Sequence, residues 1–179
     1  MMTRISTISL AVCFFIWAVD SLNAQTVVDT STQITEGVIN VPIAKVWEVF
    51  SSKEGWKKLG VSKADNDFRI GGLIQTHYDA KGTLGDENGI QNQIMAYDPM
   101  KMLAFRIHKA PKTFPFPNAM KNSWTVIYFE SLGPNQTKLI LRGVGYTDDK
   151  ESQEMRQFFQ RGNQWTMEHL KKQLEEDAK

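Results

Sequence analysis

The chain has 179 residues, 21 Lys and Arg against 20 Asp and Glu, and a formal net charge of +1. That length suits one domain rather than two, and the even charge balance excludes a nucleic-acid partner, which needs clustered Lys and Arg against the phosphates. A single cysteine, Cys13, excludes an internal disulfide and a thiolate metal cage.

The first predicted element contains that cysteine. Arg4 precedes an unbroken apolar run over 10–19, and Ala24 supplies a small residue beyond it. The run is shorter than the roughly 20 residues a membrane-spanning helix needs. A short basic start, an apolar stretch and a small residue form the pattern of a secretory signal peptide. Residues 1–24 are therefore expected to be removed and the protein exported, to the periplasm or beyond. A buried N-terminal helix is the alternative for the same residues. The mature chain then keeps no cysteine and no segment for stable insertion in a membrane.

Residues 25–32 are small and polar and read as a flexible lead-in. Alternation and β-branched residues over 33–41 predict a first strand, closed by Pro42. Ile43, Val46, Trp47 and Phe50 fall on one helical face, and residues 51–55 read as the stop of that helix, with one further short turn over 56–59. Phe68-Arg-Ile-Gly-Gly72 sets two glycines before a strand at 73–78, as suits a bend where backbone meets another element closely. A phosphate loop would need a following helix and a Lys-Ser/Thr pair, and neither is present. Turn clusters at 79–82 and 85–89 lead into strands at 89–97 and 102–108. Strands at 124–131 and 138–146 make a hairpin around 132–136; Asn135-Gln-Thr137 within it also matches a glycosylation sequon. Leu103, Phe105 and Ile107 share one face, as do Thr125, Ile127 and Phe129, and Leu139 with Leu141, while Arg106, Lys138 and Arg142 point the other way. The sheet is thus antiparallel with one apolar and one wetter face.

A long helix over 149–176 covers the apolar face. Thr147, Asp148 and Asp149 supply cap oxygens and Glu151 a first-turn charge. Met155, Phe158, Phe159, Gly162, Met167, Leu170 and Leu174 form its apolar stripe, and at 1.5 Å per residue the helix reaches about 40 Å. The fold class is α+β: a curved antiparallel sheet wrapped around a long C-terminal helix, a shape that encloses a cavity.

Five motifs in order carry a family resemblance: Val41-Pro-Ile-Ala-Lys-Val-Trp47, Phe68-Arg-Ile-Gly-Gly72, Ile94-Met-Ala-Tyr-Asp-Pro99 with Leu103-Ala-Phe105, Asn135-Gln-Thr-Lys-Leu-Ile-Leu141, and Leu170-Lys-Lys-Gln-Leu-Glu175. On these the chain resembles the helix-grip, START-related SRPBCC superfamily over 33–176, in the branch of homologues of the activator of the heat-shock chaperone ATPase. The resemblance implies the fold; its members include lipid carriers, binders of hormones and plant products, and cyclases, so it does not assign an activity. The branch often carries Gly-Trp in the terminal helix, whereas here Gly162 is followed by Asn163 and the indole comes at Trp165. A polar amide is therefore expected to face the cavity.

Chemistry is sparse. His77, His108 and His169 show no helical metal spacing and no His-Glu-x-x-His, so no metal or cofactor is expected. No serine-hydrolase elbow or other catalytic constellation is recognised. The acids at Asp86, Glu87, Asp148 and Asp149 read as solvated turns and caps. Small-molecule sites are mainly apolar with a few placed polar groups, and the aromatic side chains fit that description. The expected ligand-binding residues are Trp47, Phe105, Ile107, Phe158 and Met167, with Thr76, Tyr78, Thr125 and Asn163 as polar members. Residues 109–117, with three prolines and two phenylalanines, read either as a stiff apolar lid or as a connection tucking its rings into the core. Three functions compete: an exported binder of a small apolar or amphipathic molecule, a cyclase- or hydrolase-type enzyme using His77 or a cavity acid, and a chaperone-related protein-interaction module.

Overall fold

In a computed structural model, residues 29–177 are described; the expected signal segment at 1–24 and residues 25–28 of the lead-in lie outside them. Seven strands form one antiparallel sheet: β1 (Thr32–Ile39), β2 (Lys63–Asn66), β3 (Leu73–His77), β4 (Ile90–Asp98), β5 (Met102–Lys109), β6 (Trp124–Gly133) and β7 (Gln136–Val144). Their order is β1-β7-β6-β5-β4-β3-β2, so the chain leaves one sheet edge after β1 and re-enters at the other. Two short helices, α1 (Ile43–Ser51) and α2 (Lys53–Lys57), make that crossing, and α3 (Lys150–Glu176) ends the fold. The arrangement is the α+β helix grip.

Each element has a local cause. Pro42 occupies the N-cap of α1 and fixes the backbone at its start. Ser52 ends α1 and caps α2, its hydroxyl accepting from the Gly55 N–H at 3.0 Å. Asp149 caps α3 by accepting from the Ser152 N–H at 3.0 Å, and Glu151 lies in its first turn. The glycine pair before β3 answers to a close backbone approach: a Cβ on Gly72 would sit 2.0 Å from the Asp67 carbonyl oxygen. The bend lets Gly71 N–H donate to Ile94 O at 2.8 Å and Gly72 O accept from Ile94 N–H at 2.9 Å. Thr137, the last residue of the sequon, is fully buried, and its hydroxyl donates to the Val41 carbonyl at 2.9 Å.

Buried apolar residues form two separate clusters, one against the sheet and one between the connections and α3. The larger joins Ile39, Ile74, Ile94, Leu103, Phe129 and Leu139 to Val46, Val49 and Phe50 of α1 and to Met167, Leu170 and Leu174 of α3. Full burial of such side chains contributes about 1.5–3 kcal/mol each. The smaller cluster gathers Phe116, Ala119, Tyr146 and Met155, with Phe114, Met120 and Phe159 packed against it. Between Met155 and Met167 no residue of α3 is buried. Three turns of the helix therefore pass over the sheet without closing on it.

Candidate ligand pocket

Under those three turns lies a pocket of about 360 Å³. Its wall follows from the two-residue period of the strands. The positions that carry Ile74, Ile94, Leu103 and Leu139 into the larger cluster continue, along the same strands, as Thr76 and Tyr78, Asn92 and Ile90, Phe105 and Ile107, and Leu141. Phe50 and Trp56 from the short helices close one end, with Leu59 and Val61 from the loop after α2. Trp56 is held there edge-on to Phe105, ring centroids 6.0 Å apart, while its indole N–H donates to the Phe50 carbonyl at 2.9 Å. Phe158, Phe159, Asn163 and Thr166 form the roof.

The 109–117 segment does both of the things its composition allows. Phe116 is buried in the smaller cluster, whereas Ala110, Pro111 and Phe114 line the pocket. Phe114 lies 5.4 Å from Phe116 and 6.2 Å from each of Phe158 and Phe159. The rim is aromatic and open: Tyr78, Trp124 and Phe158 line the pocket yet expose 63%, 44% and 43% of their surface.

Of the nine residues expected from sequence, Thr76, Tyr78, Phe105, Ile107, Thr125, Phe158 and Asn163 line this pocket. Trp47 and Met167 do not. Trp47 sits edge-on to Phe129 at 5.2 Å and Phe68 at 5.7 Å, on the side of the larger cluster. Met167 is buried against Gly37, where a Cβ would meet its Cγ and Sδ at 2.9 Å. Met167 belongs to the larger cluster and Trp47 packs against it; of the α1 face only Phe50 reaches the pocket.

Asn163 anchors the polar side. Its Nδ2 donates to Gln33 Oε1 at 2.9 Å, and Gln33, almost wholly buried, donates through Nε2 to Thr35 Oγ1 at 2.6 Å. Tyr146 also lines the wall, and burial pushes its phenol up to about 12, against a smaller opposing pull from Arg156. Trp165, the displaced indole, lies outside the pocket, stacked on His169 at 4.9 Å.

His77 faces away from the pocket. It is buried beneath the turn after β3, where the Asp79 N–H donates to Nδ1 at 3.0 Å and Nε2 meets Asp86 Oδ1 at 3.2 Å. Those partners place the ring proton on Nε2. Asp86 is lowered to about 2, chiefly by the Thr83 N–H, with help from Asn88, His77 and Gly89. A base acting on a pocket-bound molecule must reach it, and His77, turned away from the pocket, does not. Among the described residues no group of three His, Cys, Asp or Glu gathers as a metal site, and no helix is long and apolar enough to cross a membrane.

The fold and pocket define a START-like protein of the helix-grip class. Residues 40–175 match the model of the activator of Hsp90 ATPase homolog 1-like proteins, and the chain belongs to that family. Among solved structures, the protein MLL2253 from Mesorhizobium loti is 18% identical with a TM-score of 0.62, the match covering 81% of this chain and 97% of that one. The protein NE0264 from Nitrosomonas europaea is also 18% identical, with a TM-score of 0.63 and coverage of 84% and 97%. The Aha1 dimer from Colwellia psychrerythraea is 12% identical, with a TM-score of 0.57 and coverage of 78% and 96%. At such identities these similarities speak to fold alone. No curated protein matches the chain.

Proposed function

We propose that this protein is exported and binds a small, predominantly apolar molecule in the pocket between the sheet and α3. The observation that carries the reading is the stretch of α3 between Met155 and Met167, which has no fully buried residue and spans a concavity walled by Phe50, Trp56, Phe105, Ile127 and Leu141. A volume of about 360 Å³ falls within the roughly 300–1,000 Å³ of small-molecule sites. A few hydrogen-bonding groups among mostly apolar walls is also the composition of such sites. Export rests on the apolar run behind Arg4 and on Ala24.

Native mass spectrometry of the full chain, expressed with residues 1–24 present, tests both halves. The expected result is a chain shortened at its N-terminus in the exported fraction, carrying a small molecule released by organic solvent. An intact chain in the cytosol contradicts export. A chain that neither carries a small molecule nor takes up apolar probes contradicts ligand binding.

A second reading has one observation of its own. The structure resembled in Colwellia psychrerythraea is described as a dimer of Aha1, and the family bears the name of a chaperone-ATPase activator. A protein-interaction role would use the outside of the grip and leave the pocket unused. Pocket-filling substitutions would then change no interaction.

A further inference from the structure

Resting on the ligand-binding reading, we propose that the pocket favours uncharged molecules carrying a hydroxyl or an amide, which hydrogen-bonds to Asn163, over carboxylates, phosphates and ammonium groups. Among the described residues none that lines the pocket is Asp, Glu, Lys, Arg or His. The nearby charges are engaged elsewhere. Lys109 Nζ donates to the carbonyls of Gly85 and Asp86 at 2.7 and 2.8 Å, and Lys63 Nζ to the carbonyl of Gly82 at 2.6 Å. Arg156 Nε donates to Gln153 Oε1 at 2.9 Å, and Asp86 is occupied by His77 and backbone N–H groups on the far face. A charge leaving water for apolar walls needs a partner there, and without one it neutralises or stays out. The tyrosines of the wall do not ionise near neutral pH, where an ordinary phenol has a pKa of about 10, and burial moves Tyr146 further up.

The need for a hydroxyl or an amide comes from the amide relay. Gln33 joins Thr35 Oγ1 at 2.6 Å to the side-chain amide of Asn163 at 2.9 Å. That amide keeps a second polar atom with no partner among the described residues, and Asn163 lines the pocket. A ligand hydroxyl or amide, able to donate or to accept, completes the chain. A ligand without one leaves that atom stripped of water.

The test uses four probes of one shape: 2-naphthylmethanol, 2-ethylnaphthalene, 2-naphthoate and 2-naphthylmethylammonium, titrated against the fluorescence of Trp56 and Trp124, which line the pocket. At neutral pH the alcohol is expected to bind at least about tenfold more tightly than either ion, a difference of about 1.4 kcal/mol. Its affinity is expected to stay flat between about pH 6 and 8.5, because no wall group titrates there. Asn163→Leu is expected to abolish the alcohol's advantage over 2-ethylnaphthalene; Asn163→Ser, less disruptive to Gln33, is expected to reduce it. Either ion binding as tightly as the alcohol overturns the inference while leaving the ligand-binding reading intact. An advantage for the alcohol that survives both substitutions overturns the role of Asn163. Failure of both neutral probes overturns the ligand-binding reading, and the inference falls with it.

Discussion

The concave face of the sheet has two halves that share strands, twist and helix yet differ in what they bury. In one half Ile74, Ile94, Leu103, Leu139 and Leu170 are completely buried and the space between sheet and helices is filled. In the other the same sheet presents Thr76, Asn92 and Thr125, α3 has no fully buried residue between Met155 and Met167, and a pocket remains. Stability is therefore concentrated in the filled half, and the open half is free to serve a ligand. The split also explains why one long helix suffices: its lower turns lock the grip while its upper turns form a roof.

The largest effect that probes this contrast is a pair of truncations on α3. Leu170→Ala is expected to cost about 2–5 kcal/mol, the usual range for a buried leucine. Phe158→Ala, at a ring 43% exposed, is expected to cost less than about 1 kcal/mol and to weaken probe binding instead. Urea unfolding measures both. Equal losses would mean that the two halves are not energetically distinct.

Filling the open half sharpens the comparison from the other side. Thr125→Leu places an apolar side chain into the pocket, and is expected to leave stability unchanged or raise it by about 0.5–2 kcal/mol, as cavity-filling substitutions do. The same bulk in a packed core would cost about 1–3 kcal/mol. Thermal unfolding decides between these outcomes, and a loss of the second size would mean that the space is already committed to packing.

A smaller effect lies behind the open half. Asp86 is lowered from its ordinary 3.8 to about 2 by hydrogen bonds that need its charged form, that from the Thr83 N–H first. A folded-state pKa below the unfolded one favours the folded state above about pH 4, and that contribution disappears as pH falls from about 4 to about 2. Asp86→Asn is accordingly expected to melt below the wild type near neutral pH, with the gap closing through that acid window. A gap independent of pH would show that the carboxylate's charge is not what holds the turn.

Much of this was legible in the sequence because period and punctuation are strong signals. β3 to β7 and α3 follow alternation, the turn clusters and the cap at Asp149. Two elements were not. β2, Lys63–Asn66, is four polar or small residues whose only register is with β3 at the sheet edge, so no apolar period marks it. α2 hides behind Gly55, which reads as a helix stop but is required because a Cβ would stand 2.4 Å from the Val49 backbone. In the pocket, Thr76, Asn163 and Thr125 were readable as polar residues on otherwise apolar faces. Asn92 gave the same signal within β4 and was missed. Trp47 and Met167 fall outside the pocket because a helical stripe reports which face is inward, not which end of the sheet that face meets. Pro111 and Phe114 reach the pocket through a connection without periodicity, whose path sequence does not fix.

The central claim, that the open half of the grip is a binding site, is tested most directly by titrating the neutral fluorophore N-phenyl-1-naphthylamine into wild type and Thr125→Leu side by side. Saturable uptake of one fluorophore per wild-type chain is expected, with at least about a tenfold loss of affinity in a variant that melts no lower. Equal binding by the two proteins, or none by either, would contradict it.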